Sequence, residues 1–143
     1  MSTIIRSSLN GNIEEVRLKI SRGEDVNSKD KVRQTALMNS IRMGHNDIVK
    51  LLLACPQIKI HEKDIFGGSA LYFAAYGNNR EAARMLLRHP DMTSASANSK
   101  TEKGYTALVR AIKSKKREVL QELVNHELIS LEFGALDERC SFS

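Results

Sequence analysis

The stretch TALMNSIRMGHNDIVKLLL at 35–53 decides how this chain folds, because the chain writes nearly the same line again. SALYFAAYGNNREAARMLL stands at 69–87 and TALVRAIKSKKREVLQELV at 106–124. With Leu37 as anchor, the equivalents are Leu71 and Leu108, at offsets of 34 and then 37, and a step of 33 back lands on Ile4. A period in this range is the signature of stacked units, none of which can bury its apolar face alone.

Within each unit a hydroxyl stands two residues before the anchor, at Thr35, Ser69 and Thr106. Such an oxygen can accept the free N–H groups of a helix's first turn. The apolar pairs Leu37/Ile41, Leu71/Ala75 and Leu108/Ile112 follow at i, i+4, one face of a helix about two turns long. A break comes next, at Gly11, Gly44, Asn78 and Lys115. Glycine and asparagine tolerate a left-handed backbone there, whereas at Lys115 it costs roughly 1 kcal/mol and a looser turn is expected. A second helix is expected after each break, on the pairs Val16/Ile20, Ile48/Leu52, Ala82/Leu86 and Val119/Leu123. Its apolar stripe is too wide for an isolated pair of helices to hide, and stacked pairs hide it.

Polar connections separate the units: RGEDVNSKDKVRQ (22–34), CPQIKIHEKDIFGG (55–68) and HPDMTSASANSKTEKGY (89–105). Pro56 and Pro90 each end a helix. The third connection is the longest, and its Ser/Ala-rich part at 93–99 reads as tolerated surface loop. At the ends, SSLNGN (7–12) and EEVRLK (14–19) suit a polar N-terminal cap, and KSKKREVLQELVNHE (113–127) a C-terminal one. Leu128, Ile129, Leu131 and Phe133 are expected to fold back over the last helix pair, and the residues beyond Asp137 to fray.

The totals fit one domain: 143 residues, 41% hydrophobic, 27% charged, no Trp and a net charge of +5. That charge permits an acidic partner or a nucleic acid and demands neither. Cys55 and Cys140 form no CxxC, so free thiols in a reducing compartment are expected. The N-terminus carries no apolar run of signal-peptide length, and no stretch approaches the ~20 apolar residues of a membrane span. The expectation is a cytoplasmic chain, with KSKKR (113–117) admitting a nuclear address as well as helix-end capping.

Helix, tight turn, helix and extended loop at a period of about 33 residues resembles the ankyrin repeat, over roughly 4–125. RGEDVNSKD (22–30) is close to the family's loop line and GHNDIVKLLL (44–53) to its second-helix line. The family's Thr-Pro-Leu-His reads Thr-Ala-Leu-Met, Ser-Ala-Leu-Tyr and Thr-Ala-Leu-Val here, which implies repeats individually weaker than consensus ones. The resemblance implies an all-α solenoid of about four helix-turn-helix repeats joined by hairpin-like loops. The repeats fall at about 1–30, 31–64, 65–101 and 102–133, with a tail at 134–143. It also implies a backbone hydrogen bond for His45, just after the turn glycine.

No catalytic constellation stands out. FGGSA (66–70) lacks the lysine and spacing of a phosphate cradle, and there is no HExxH, paired Cys/His set or calcium loop. Helix positions explain Ser40 and Ser69, and Cys55 has no activating neighbour. No enzyme activity, cofactor or metal is expected. The resemblance instead implies a protein-binding scaffold whose concave side carries the loop tips and first-helix ends. Carried over by position, these are Lys31, Val32, Gln34, Arg42 and Met43 in the second unit, Ile65, Phe66 and Tyr76 in the third, and Lys103, Tyr105 and Lys113 in the fourth. Val32, Ile65 and Phe66 are apolar where a loop prefers polar residues; they either anchor a partner or pack tip against tip. The surrounding Lys29, Lys31, Arg33, Arg42, Lys63, Lys103, Lys113, Lys115 and Lys116 suggest a basic rim and a partner with an acidic surface. Direct binding of nucleic acid or acidic lipid by that rim is the alternative, although the aromatics do not interleave with the basic residues as a stacking platform requires.

Overall fold

Hydroxyl caps, left-handed turns and buried columns recur through the computed structural model, which describes residues 3–131. The helices are α1 (Thr3–Leu9), α2 (Ile13–Ser21), α3 (Ala36–Met43), α4 (Asn46–Leu53), α5 (Ala70–Tyr76), α6 (Arg80–Leu87), α7 (Ser94–Ala97), α8 (Ala107–Lys113) and α9 (Arg117–Val124). Among the described residues there is no strand, only an isolated bridge between Lys63 and Ser69. The fold is an all-α solenoid. First helices α1, α3, α5 and α8 pack side by side, and second helices α2, α4, α6 and α9 do the same.

The helices start where the sequence places their caps. Thr35 Oγ1 accepts from the Met38 N–H at 3.3 Å, Ser69 Oγ from Tyr72 at 3.3 Å and Thr106 Oγ1 from Val109 at 3.1 Å. Each satisfies a donor the helix cannot. Asn12 and Asn79 do the same for α2 and α6, accepting from Glu15 and Ala82 at 3.1 Å. His45 and Lys116 hold the equivalent places before α4 and α9 without a side-chain cap.

The turn between paired helices is one conformation throughout. Gly11, Gly44 and Asn78 have φ of 73°, 78° and 53°, and Lys115 has φ of 55°. The looser turn expected at Lys115 is therefore corrected. The same closing bond forms in each unit: Asn12 N to Ser7 O, His45 N to Ser40 O, Asn79 N to Ala74 O and Lys116 N to Ala111 O, at 2.8–3.0 Å. Packing of α8 and α9 against their neighbours imposes the turn on a residue that resists it.

The anchor column Ile4, Leu37, Leu71 and Leu108 is buried, and so are Val16, Ile48, Leu52, Ala82, Leu86, Val119 and Leu123 of the second helices. Under the loops runs another column, Val26, Ile60 and Ala97, also buried. Ala97 belongs to α7, so the Ser/Ala stretch expected as surface loop is corrected to a short helix. Thr93 caps it, accepting from Ser96 N at 3.1 Å. The extra residues of that connection are taken up in α7, and Ala97 returns to the register of Val26 and Ile60. A second correction concerns SSLNGN: Ser7 and Ser8 are buried rather than on a polar outer face. After α9, Ile129 is buried and Leu128 half-buried against the core, whereas Leu131 is exposed. Phe133, Cys140, the residues beyond Asp137 and the 134–143 tail lie outside the described residues.

Candidate protein-binding surface

Each loop ends in a five-residue tip closed by its own side chain. Asp30 Oδ1 accepts from the N–H groups of Val32 and Gln34 at 3.0 and 2.9 Å. Asp64 Oδ1 accepts from Phe66 and Gly68 at 3.0 and 2.8 Å, and Thr101 Oγ1 from Tyr105 at 3.2 Å. Adjacent tips are joined through the backbone, Ile65 N to Val32 O and Glu102 N to Phe66 O, both at 3.0 Å. The main chain thus packs tip to tip. Of the side chains there, Val32 and Ile65 are 38% and 40% exposed and Phe66 63%.

The first-helix ends form a row beside the tips. Arg42, Tyr76 and Lys113 occupy one repeat position, and Tyr76 is 53% exposed. Between the third and fourth units the tips and helix ends enclose a groove of about 270 Å³. It brings together five of the predicted residues, Arg42, Phe66, Tyr76, Lys103 and Tyr105. Lys113 reaches its edge, with Nζ 5.2 Å from the Tyr105 ring centroid. Lys31, Val32, Gln34, Met43 and Ile65 do not line it. Of these, Gln34 is half-buried beside Arg42, while Lys31, Val32, Met43 and Ile65 are exposed.

Tyr72, Phe73, Thr101 and Arg110 also line the groove and were missed from the sequence. Phe73 and Arg110 share a repeat position one helical turn before Tyr76 and Lys113, so stepping back three residues from the predicted row would have found them. Tyr72 and Phe73 meet edge to face at 6.0 Å, and Arg110 Cζ stands 5.3 Å from the Tyr76 ring centroid. The groove exists because Gly68 stands where the other units carry Gln34 and Tyr105. A Cβ there would come within 3.2 Å of Tyr72 Cδ1 and 3.5 Å of Phe73 Cε2.

The basic rim is partly consumed by the fold. Lys29 pairs with Glu62, and Lys63 Nζ donates to Lys100 O at 3.4 Å. Among the described residues Arg42, Lys103 and Arg110 form no ion pair. Arg42 donates to the amide oxygens of Asn39 and Gln34, and Arg110 to the Ser114 hydroxyl. Asp64 is buried and committed to its own loop.

Three of the four histidines stitch units together. His45 Nε2 donates to Leu9 O at 3.1 Å, as the resemblance implies, and His89 Nε2 to Leu53 O at 3.2 Å. His61 Nε2 donates to Asp91 O at 2.8 Å. His61 stands in a column with Asn27 and Asn98. Asn27 donates to Gln57 O and accepts from Lys59 N, both at 2.8 Å, and Asn98 bonds Leu128 O and Ser130 N, both at 2.7 Å. These contacts tie each loop to the next unit.

Ser40 is buried and donates to Leu37 O at 3.0 Å, and Ser69 is a helix cap. Cys55 is half-buried against Leu51 O, and burial pushes its thiol pKa up, away from the thiolate a nucleophile needs. Among the described residues no group of three or more His, Cys, Asp and Glu is placed to hold a metal, and no helix is long and apolar enough to cross a membrane.

Stacked helix pairs with an apolar groove among their loop tips define a repeat scaffold. The family model for ankyrin repeats (3 copies) matches residues 4–96 and 55–133, and the chain belongs to the ankyrin-repeat family. It is 33% identical over 115 residues to E3 ubiquitin-protein ligase XBAT33 of Arabidopsis thaliana, covering 80% of this chain and 22% of that protein. It is 30% identical over 122 residues to a putative ankyrin repeat-containing protein of Treponema pallidum, covering 85% of this chain and 40% of the relative. A putative ankyrin repeat protein of Rickettsia bellii is 43% identical over 56 residues, 39% of this chain and 58% of the relative. The chain spans only 15–22% of the plant proteins it matches that are named as ligases or probable ligases. Ankyrin repeats are generally protein–protein interaction modules and typically non-catalytic.

Proposed function

We propose that this chain is a non-catalytic interaction module of adaptor or inhibitor type, holding a partner protein against its loop tips and first-helix ends, the concave side of such a solenoid. The partner surface is apolar at its centre and acidic at its edge. The observation that carries this reading is the groove between the third and fourth units. Phe66 and Tyr76 stand more than half exposed beside it, and Arg42, Lys103 and Arg110 surround it without ion-pair partners. Exposed aromatic residues supply contact area at small entropic cost, and charges at the rim steer encounter more than they hold.

The experiment is capture of partners from cell lysate by wild type beside a Phe66→Ala, Tyr76→Ala, Arg42→Ala triple variant, with circular dichroism confirming that both are folded. A protein bound by wild type and lost by the variant supports the reading. Equal capture by both moves the interface to another face and leaves the exposed tip residues without this role.

A further inference from the structure

What already covers the rings of the groove bears on the sign of charge it accepts. An aromatic-lined hollow with carboxylates beside it suits a cationic ligand, seated over the ring faces. Here two such positions are taken by the chain itself. Arg110 stands over Tyr76 at 5.3 Å and Lys113 over Tyr105 at 5.2 Å. Of the two lining carboxylates, Asp64 is buried and spent on the Phe66 and Gly68 N–H groups. Glu102 alone is left to attract a cation. Against it stand Arg42, Lys103 and Arg110, whose partners are neutral oxygens, an aromatic ring or solvent.

The volume limits the occupant further. At about 270 Å³ the groove is at the small end of ligand pockets, where ~300 Å³ already marks a small-molecule site. It suits one large planar side chain rather than a whole cofactor. Its wall, the edge-to-face pair Tyr72 and Phe73 with Phe66 and Tyr76 beside it, offers a third ring both faces and edges. The row Arg42, Tyr76, Lys113 then sets a cation on either side of the apolar opening.

We propose that the groove between the third and fourth repeats binds an acidic peptide segment through one aromatic side chain. The ring enters between Phe66, Tyr72 and Tyr76. Carboxylates flanking it in the peptide meet Arg42, Lys103 and Arg110 around the opening. The inference rests on the protein-interaction reading above and narrows it to a short linear motif.

The test uses three capped pentapeptides, Asp-Glu-Phe-Asp-Glu, Asp-Glu-Ala-Asp-Glu and Lys-Lys-Phe-Lys-Lys, titrated to millimolar concentration against isotope-labelled protein. Amide shifts are read by NMR. The acidic aromatic peptide is expected to move the amides of Gly67, Gly68, Glu102 and Lys103. The other two peptides should bind at least about tenfold more weakly, the step that separates a paired charge or filled pocket from an empty one. R110Q should weaken binding about tenfold. Because Arg110 also bonds Ser114, K103Q on the exposed tip serves as a second variant that leaves the helices untouched. Equal or tighter binding of the lysine-flanked peptide overturns the inference in favour of a cation site. Shifts confined to another surface, or none with any peptide, also overturn it. The two proposals fail separately: partner capture lost by the triple variant with no peptide binding sinks only the motif, and capture retained alongside groove shifts sinks only the wider reading.

Discussion

The His45 side chain fills the space beside Gly11: a Cβ at position 11 would stand 2.7 Å from His45 Cε1. From there His45 Nε2 donates to Leu9 O at 3.1 Å, tying the second repeat to the turn of the first. A carbonyl only accepts, so Nε2 carries the hydrogen. Gly11 is needed twice over, for its φ of 73° and for the room it leaves. G11A imposes left-handed strain of about 1–2 kcal/mol and displaces a hydrogen bond worth about 1 kcal/mol. The expected loss is about 2 kcal/mol or more in urea denaturation. Replacing Gly23, which also has positive φ but nothing within 4 Å of an added Cβ, should cost only the strain. Equal losses at both sites would show that the His45 contact contributes nothing.

Two other left-handed positions hold the wrong residue. Arg33 has φ of 63° where the next tips carry Gly67 and Gly104, and Lys115 has φ of 55° where other units carry Gly11 and Gly44. The left-handed backbone costs an L-residue about 1–2 kcal/mol, and glycine gives back about 0.5–1 kcal/mol through the looser unfolded chain. The strain wins. R33G and K115G should each raise stability by about 0.5–1 kcal/mol, read as a higher denaturation midpoint at unchanged slope. A lower midpoint for K115G would mean that the Lys115 side chain supplies more than its backbone costs.

These sites show where a sequence is readable. Thr35, Ser69 and Thr106 announce helix starts because a cap is a local bond between residues three apart. The buried column from Ile4 to Leu108 is legible because apolar side chains must be hidden, and the period says against what. The loop-tying column Asn27, His61 and Asn98 was not. One member is a histidine, the third is displaced by the longer connection, and its partners lie 30–32 residues away. The groove was half legible. Phe66 and Tyr76 draw notice as exposed aromatics, but the hollow depends on the side chain that Gly68 lacks, and an absence shows only after neighbouring tips are aligned.

Ser8 occupies the place held by Ile41, Ala75 and Ile112 in the later units. It is fully buried, and its Oγ has no hydrogen-bond partner. An unsatisfied buried hydroxyl costs about 1–3 kcal/mol, while alanine fits a position where Ala75 already packs. S8A should therefore raise stability by about 1 kcal/mol in thermal or urea unfolding. A loss of stability would mean that the hydroxyl finds a partner in solution.

Glu122 on α9 receives both arginines of α6: Arg80 Nε at 2.8 Å and Arg84 Nη2 at 2.6 Å. Hydrogen bonds from Arg84 and then Arg80 hold its carboxyl pKa below the usual range. A carboxyl whose folded pKa is depressed stabilises the fold above its unfolded pKa, about 4.3, and that contribution is lost as pH falls through the folded value. E122Q removes the charge without removing the shape. At pH 7 the variant should unfold at lower denaturant than wild type. The gap should begin to close as pH falls below about 5 and vanish once wild-type Glu122 is itself protonated in the fold. Raised salt at pH 7 should narrow it as well, since both arginines are partly exposed. A gap that stays constant to pH 3 would assign the loss to packing of α6 on α9 rather than to the charge.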